Sequence, residues 1–133
     1  MANMAKDLTI SLVDQPGSLA TLAETLGNAG INIMGGCGFT VAGKGEIHIA
    51  VEDGAKARAA LAAKGINVDK ERDVLLLYMR AVPGYLHRQA HDLAAGGVNI
   101  ELFYWTEDGR LVVGADDLSK AKAALFSSKS PDQ

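Results

Sequence analysis

Apolar and polar residues alternate along Leu8 to Val13, with Leu8, Ile10 and Leu12 on one side and Thr9 and Ser11 on the other. A period of two predicts a strand with one buried face. The period then lengthens. Leu19, Leu22, Ala23 and Leu26 recur at helical spacing, so a helix is expected from just after Pro16 to about Gly27, with Gly30 as its stop. Ile31 to Val41 reads as a second strand, Gly43-Lys44-Gly45 as a hairpin turn, and Ile47, Ile49 and Val51 as a third strand. Asp53 stands where it can cap a second helix over Lys56 to Lys64, and Ile66-Asn67-Val68 forms a short fourth strand. The predicted order is βαββαβ.

The same order then restarts. Val74 to Met79 matches the first strand, and Pro83-Gly84-Tyr85-Leu86 matches Pro16-Gly17-Ser18-Leu19. Gly97-Val98-Asn99-Ile100 matches Gly30-Ile31-Asn32-Ile33, all at one offset of 67. Beyond the hairpin the offset is 64, pairing Lys56 to Leu61 with Lys120 to Leu125, and Asp53 with Asp117. The difference falls within Thr106 to Arg110, a turn, where length changes are tolerated. The copies are therefore expected over residues 6–69 and 73–126, the second without its last strand, followed by a polar tail at 127–133. Asp69 to Asp73 reads as a short charged connection between them.

A strand, then [Asp/Ala]-x-Pro-Gly-x-Leu, a helix, then Gly-[Ile/Val]-Asn-Ile, present twice, resembles the ACT domain, a small regulatory module that binds amino acids. The resemblance covers nearly the whole chain. It implies an α+β, ferredoxin-like fold for each copy, with an antiparallel sheet and helices on one face. It also implies edge-to-edge pairing through the second strands, which would make one continuous sheet. The residues support that pairing separately. Ile31 to Val41 and Val98 to Trp105 are long, rather apolar edges, which invite a partner. The sheet face carrying Leu76 and Tyr78, where the first copy has Thr9 and Ser11, is expected to pack on something, most simply a second copy of the chain in a homodimer.

The resemblance places an amino-acid effector against the first strand-to-helix turn and the start of the second strand, namely Asp14, Gln15, Pro16, Gly17, Ser18, Leu19, Asn32 and Ile33. The chemistry of these residues suits an α-amino acid. Pro16 is expected near the first helical position, and the N–H groups of Gly17, Ser18 and Leu19 at a helix start can take a carboxylate. Asp14 can answer an ammonium, and the Asn32 amide can donate and accept. Gly35 and Gly36 leave room for the ligand's side chain. In the second copy Ala81 and Val82 replace Asp14 and Gln15, so that turn is expected to be mainly architectural. Ligand efficiency limits the dissociation constant to between roughly 1 μM and 1 mM.

Composition narrows the alternatives. A net charge of −3 argues against a nucleic-acid backbone as partner. No apolar run reaches membrane-span length, and the N-terminus lacks a signal-peptide core. A lone cysteine, Cys37, suits a reducing, cytoplasmic setting. His87 and His91 lie four apart on a helix, but no third ligand is in view, so no metal is expected. His48 is assigned a sheet-face role and Cys37 a buried one. Phe103 and Trp105 share a strand face, but without the glycine-aromatic motif of RNA-binding sheets. No nucleophile–base pair or phosphate loop stands out. The expectation is a free-standing amino-acid-binding regulatory or sensor protein, without catalysis or cofactor, acting on a separate metabolic enzyme. The alternative is an ACT-like interaction or oligomerisation scaffold with no ligand.

Overall fold

A computed structural model describes residues 3–126. They form six strands and four helices in the order β1 (Asn3–Val13), α1 (Ser18–Asn28), β2 (Gly35–Val41), β3 (Lys44–Val51), α2 (Gly54–Ala62), β4 (Val68–Leu77), α3 (Tyr85–Ala95), β5 (Ile100–Trp105), β6 (Leu111–Ala115) and α4 (Leu118–Phe126). The tail proposed at 127–133 lies outside the described residues.

The chain divides into two compact units. The first is Ala5–Asp73, with strand order β2-β3-β1-β4. β1 runs antiparallel to β3, with Leu8 opposite Ile49 and Ile10 opposite Ile47. Those alternating residues, with Val51, face α1 and α2 and enclose a core of Leu8, Ile10, Leu22, Leu26, Ile49, Val51, Ala57 and Leu61. Both helices therefore lie on one face, because only alternate strand positions are apolar. On α1 the buried stripe is Leu22, Thr25 and Leu26, while Leu19 is exposed.

The second unit takes in residues 74–126 and also Asn3 and Met4. β4, β6 and β5 lie side by side, and β1 is the neighbour of β4 on its other side. The second copy lacks a last strand of its own, and the beginning of β1 belongs to its unit. The core is Leu75, Leu77, Tyr85, Leu93, Leu111, Val113, Ala121 and Leu125, with Met79, Val98 and Ala115 at its margin. On α3 the buried positions are Tyr85, Gln89 and Leu93, while Leu86 is exposed.

Local chemistry explains the element ends. Asp53 Oδ1 accepts from the Lys56 N–H and Asp117 Oδ1 from the Lys120 N–H, both at 3.0 Å, so the repeated aspartate caps a helix in each copy. At the ends of α1, α2 and α3 the N–H groups of Ile31, Ile66 and Val98 donate to the carbonyls of Leu26, Leu61 and Leu93, each at 2.9 Å. A left-handed glycine precedes each donor and makes that reversal possible. The first hairpin turns at Ala42-Gly43, a residue earlier than expected, with φ of 51° and 79°. Two successive positive angles define the tight turn that matches strand twist. Lys44 is thereby freed to pair with both Val41 and Val13.

Three expectations are corrected. Asp69 to Asp73 is not a connection but the middle of β4, which runs unbroken from Val68 to Leu77. Its charges are taken up by neighbours: Asp69 accepts from Ser11 Oγ at 2.5 Å, Glu71 pairs with Arg58 and Asp73 with Lys6. The second strands do not zip together within the chain: β2 is bonded to β3 alone and β5 to β6 alone, so each is an outermost strand. The first cause is the second: a strand carried straight from one copy into the next leaves β2 and β5 at the far edges of their units. β2 also begins at Gly35, because Ile31 and Ile33 pack against the first core before the ladder starts. Finally, Leu76 is 3% exposed within the single chain and needs no second copy to cover it, whereas Tyr78 is 67% exposed.

Candidate functional site

The turn between β1 and α1 is built from backbone bonds that its sequence permits. The Gln15 N–H donates to the Val13 carbonyl at 3.0 Å and the Ser18 N–H to the Gln15 carbonyl at 3.3 Å. Gly17 caps α1 with φ of 92°, a conformation that disfavours a side chain. Pro16 therefore sits one residue before the cap, not at the first helical position. Ser18 Oγ ties the helix start back to the Val13 carbonyl at 2.6 Å. Of the three N–H groups expected to face a ligand, that of Ser18 is used internally. Those of Gly17 and Leu19 have no partner among the described residues.

This turn lines a cavity of about 530 Å³ inside the first unit, within the usual range for small-molecule sites of roughly 300–1,000 Å³. Gln15, Pro16, Gly17 and Ser18 form one wall; Ser11, Thr21, Asn67 and Asp69 supply further polar groups. Asp14, Leu19, Asn32 and Ile33 are not among its lining residues. Asp14 is exposed, and Ile33 packs toward the core. The carboxylate in the cavity is Asp69, which the sequence hid inside an apparent linker. Nor does Gly36 leave open room: a side chain there would meet the His48 carbonyl oxygen at 2.4 Å.

The second copy repeats the turn bond for bond. The Val82 N–H donates to the Arg80 carbonyl at 2.8 Å and the Tyr85 N–H to the Val82 carbonyl at 3.3 Å. A cavity of about 670 Å³ again adjoins it, inside the second unit, but its lining differs: Met79, Val82, Leu86 and Trp105 with Arg80 and Asp108. The Tyr85 ring is buried beneath the Arg88 guanidinium, 5.5 Å away, and its hydroxyl has no partner among the described residues.

No family model matches the chain, and no curated protein matches it in sequence. Solved structures do match. A protein of Bacteroides thetaiotaomicron is 29% identical, with a TM-score of 0.83 over 95% of this chain and 89% of that one. The regulatory subunit of aspartate kinase from Thermus thermophilus, in its ligand-free form, is 21% identical, with a TM-score of 0.71 over 94% of this chain and 91% of that one. Its counterpart from Thermus flavus is 20% identical, at 0.65 over the same shares. The chain shares their fold.

A further polar group occupies the sheet face without helices. Asp7 is fully buried there, and its Oδ2 lies 3.1 Å from His48 Nδ1. Thr9 Oγ1 and Glu46 Oε2 lie 3.3 Å from the two ring nitrogens, and Phe39 stacks on the ring at 6.4 Å. The sequence marked His48 as a sheet-face residue but gave no sign of Asp7. Cys37 pairs across the ladder with His48. Burial pushes the Cys37 thiol above its ordinary value, and the charges of Asp7 and Glu46 push it the same way. The thiolate is the reactive form, so at about pH 8 iodoacetamide should modify Cys37 several-fold more slowly than a free cysteine. Equal rates, followed by mass spectrometry, would contradict this. His87 and His91 stack at 5.7 Å on exposed positions of α3, and no group of three metal-ligating side chains occurs among the described residues. No described helix is long and apolar enough to cross a membrane.

Proposed function

We propose that this chain is a tandem ACT-domain regulatory protein that binds a free amino acid and acts on a separate metabolic enzyme in the cytoplasm. The observation that carries the reading is the first cavity. It joins the unpartnered N–H of Gly17, at a helix start, to a carboxylate, Asp69, in one small open cavity. An α-amino acid presents the complementary pair. Its carboxylate goes to the Gly17 N–H, where the helix dipole favours negative charge. Its ammonium goes to Asp69, displacing the Ser11 hydroxyl that now donates there. Gln15 and Ser18 border the bound molecule, and Asp14 and Asn32 stand outside it. The likeness to aspartate kinase regulatory subunits over 94% of the chain supports a regulatory role.

Thermal unfolding against a panel of amino acids tests this. A true ligand at a hundred times its dissociation constant adds about 2.7 kcal/mol of stability. Asp69→Ala should abolish that gain, while Asp14→Ala should keep it. If no amino acid raises the melting temperature at millimolar concentration, the reading fails.

The unfilled outer edges of β2 and β5 favour self-association as well. β2 also exposes Phe39 and Val41. Sedimentation equilibrium of the wild-type chain distinguishes a homodimer from a monomer. A scaffold without ligand would dimerise yet show no stabilisation by amino acids.

A further inference from the structure

We infer that the second cavity is a separate binding site, selective for a small carboxylic acid with an apolar body and no ammonium group. The inference does not rest on the first cavity's reading, because every lining residue belongs to the second unit. The walls are largely apolar: Met79, Val82, Pro83, Leu86 and the half-exposed Trp105. One cation is available. The Arg80 guanidinium has no hydrogen bond or ion pair among the described residues, so it can bind a carboxylate through two parallel N–H groups.

The acid Asp108 is already satisfied. It accepts from Arg110 Nε at 3.0 and 3.2 Å and from the Thr106 hydroxyl, and those bonds hold its carboxyl below the usual carboxylate range. It is thus ionised, and the Arg110 guanidinium already balances its charge, so it attracts an incoming ammonium less than an unpaired carboxylate would. Where the first turn has Asp14 and Gln15, this one has Ala81 and Val82. The two copies keep one turn geometry but differ in the charge left without an ion pair at their cavities, Asp69 in one and Arg80 in the other, Asp108 being paired with Arg110. Desolvating an ammonium beside Met79 and Val82, with only the already paired Asp108 to answer it, is unfavourable. An acid that lacks it meets no such cost.

Trp105 is the sole tryptophan of the chain, so its fluorescence reports on this cavity and not on the other. The probe pair is 3-phenylpropanoate and phenylalanine, which share a body and a carboxylate and differ in the ammonium. Titration of the full-length chain with 3-phenylpropanoate should change Trp105 emission saturably in the micromolar-to-millimolar range. Phenylalanine should bind at least tenfold more weakly. Arg80→Gln should weaken 3-phenylpropanoate at least tenfold, whereas Asp69→Ala should leave its titration unchanged. Circular dichroism and the melting temperature confirm that Arg80→Gln folds. No saturable change at 10 mM, equal response to phenylalanine, or an unaltered titration in Arg80→Gln would each overturn the proposal. Loss of amino-acid stabilisation in Asp69→Ala, with the Trp105 response intact, separates the two sites.

Discussion

Leu8→Ala should lower the free energy of unfolding by about 2–5 kcal/mol, the range for truncating a fully buried leucine. Leu8 is 0% exposed at the centre of β1, opposite Ile49, within the core closed by Leu22, Leu26 and Leu61. Three carbon atoms would be lost from a cluster with helices on one side and a paired backbone on the other, so little collapse can refill the space. Domains of this size are stable by only about 5–15 kcal/mol in total. The melting temperature should therefore fall by on the order of 10 °C. Urea unfolding followed by circular dichroism measures both. Leu19→Ala, at an exposed position of the adjoining helix, is the control and should change stability by less than about 0.5 kcal/mol. A loss for Leu8→Ala no greater than that of the control would mean that this cluster is not the core.

Gly36→Ala should destabilise by about 1–3 kcal/mol or more, although it adds one methyl group to an edge strand. That methyl would lie 2.4 Å from the His48 carbonyl oxygen and 3.4 Å from Ile49 Cα. Both are backbone atoms of the neighbouring strand, so no side chain can swing aside. β2 must move, and its register with β3 from Gly35 to Val41 moves with it. Hydrogen exchange should show lost protection at Cys37 and His48 while the caps at Asp53 and Asp117 stay intact. Unchanged stability and exchange would show that β2 stands further from β3 than described.

Much of the fold was legible because local chemistry and hydrophobic period agreed. Asp53 and Asp117 announced two helix starts, and Gly30 and Gly97 announced two stops, each at a constant offset from its counterpart. β4 was not legible in full, because five consecutive charged residues from Asp69 to Asp73 conceal a period of two. Once folded, Glu71 meets Arg58 on α2 and Asp69 meets Ser11 on β1, partners that only the tertiary structure supplies. The first cavity was half legible. Its Gln15–Ser18 wall is a local motif, but Asp69 arrives from a strand 58 residues from Ser11. The second cavity was less legible: Ala81 stands where the first copy has Asp14, and Arg80 beside it matches an uncharged Val13. Trp105 and Asp108, which complete that wall, come from β5 and the turn that follows it.

The boundary between the units falls between Asp73 and Val74, inside the unbroken strand Val68–Leu77. A gene divided at that codon would cut β4 in two, and the later polypeptide would be deprived of Asn3 and Met4, which lie at the opposite terminus. The duplication was thus fused rather than tethered. The later half therefore cannot be donated to another gene as a free-standing cassette without leaving part of its unit behind.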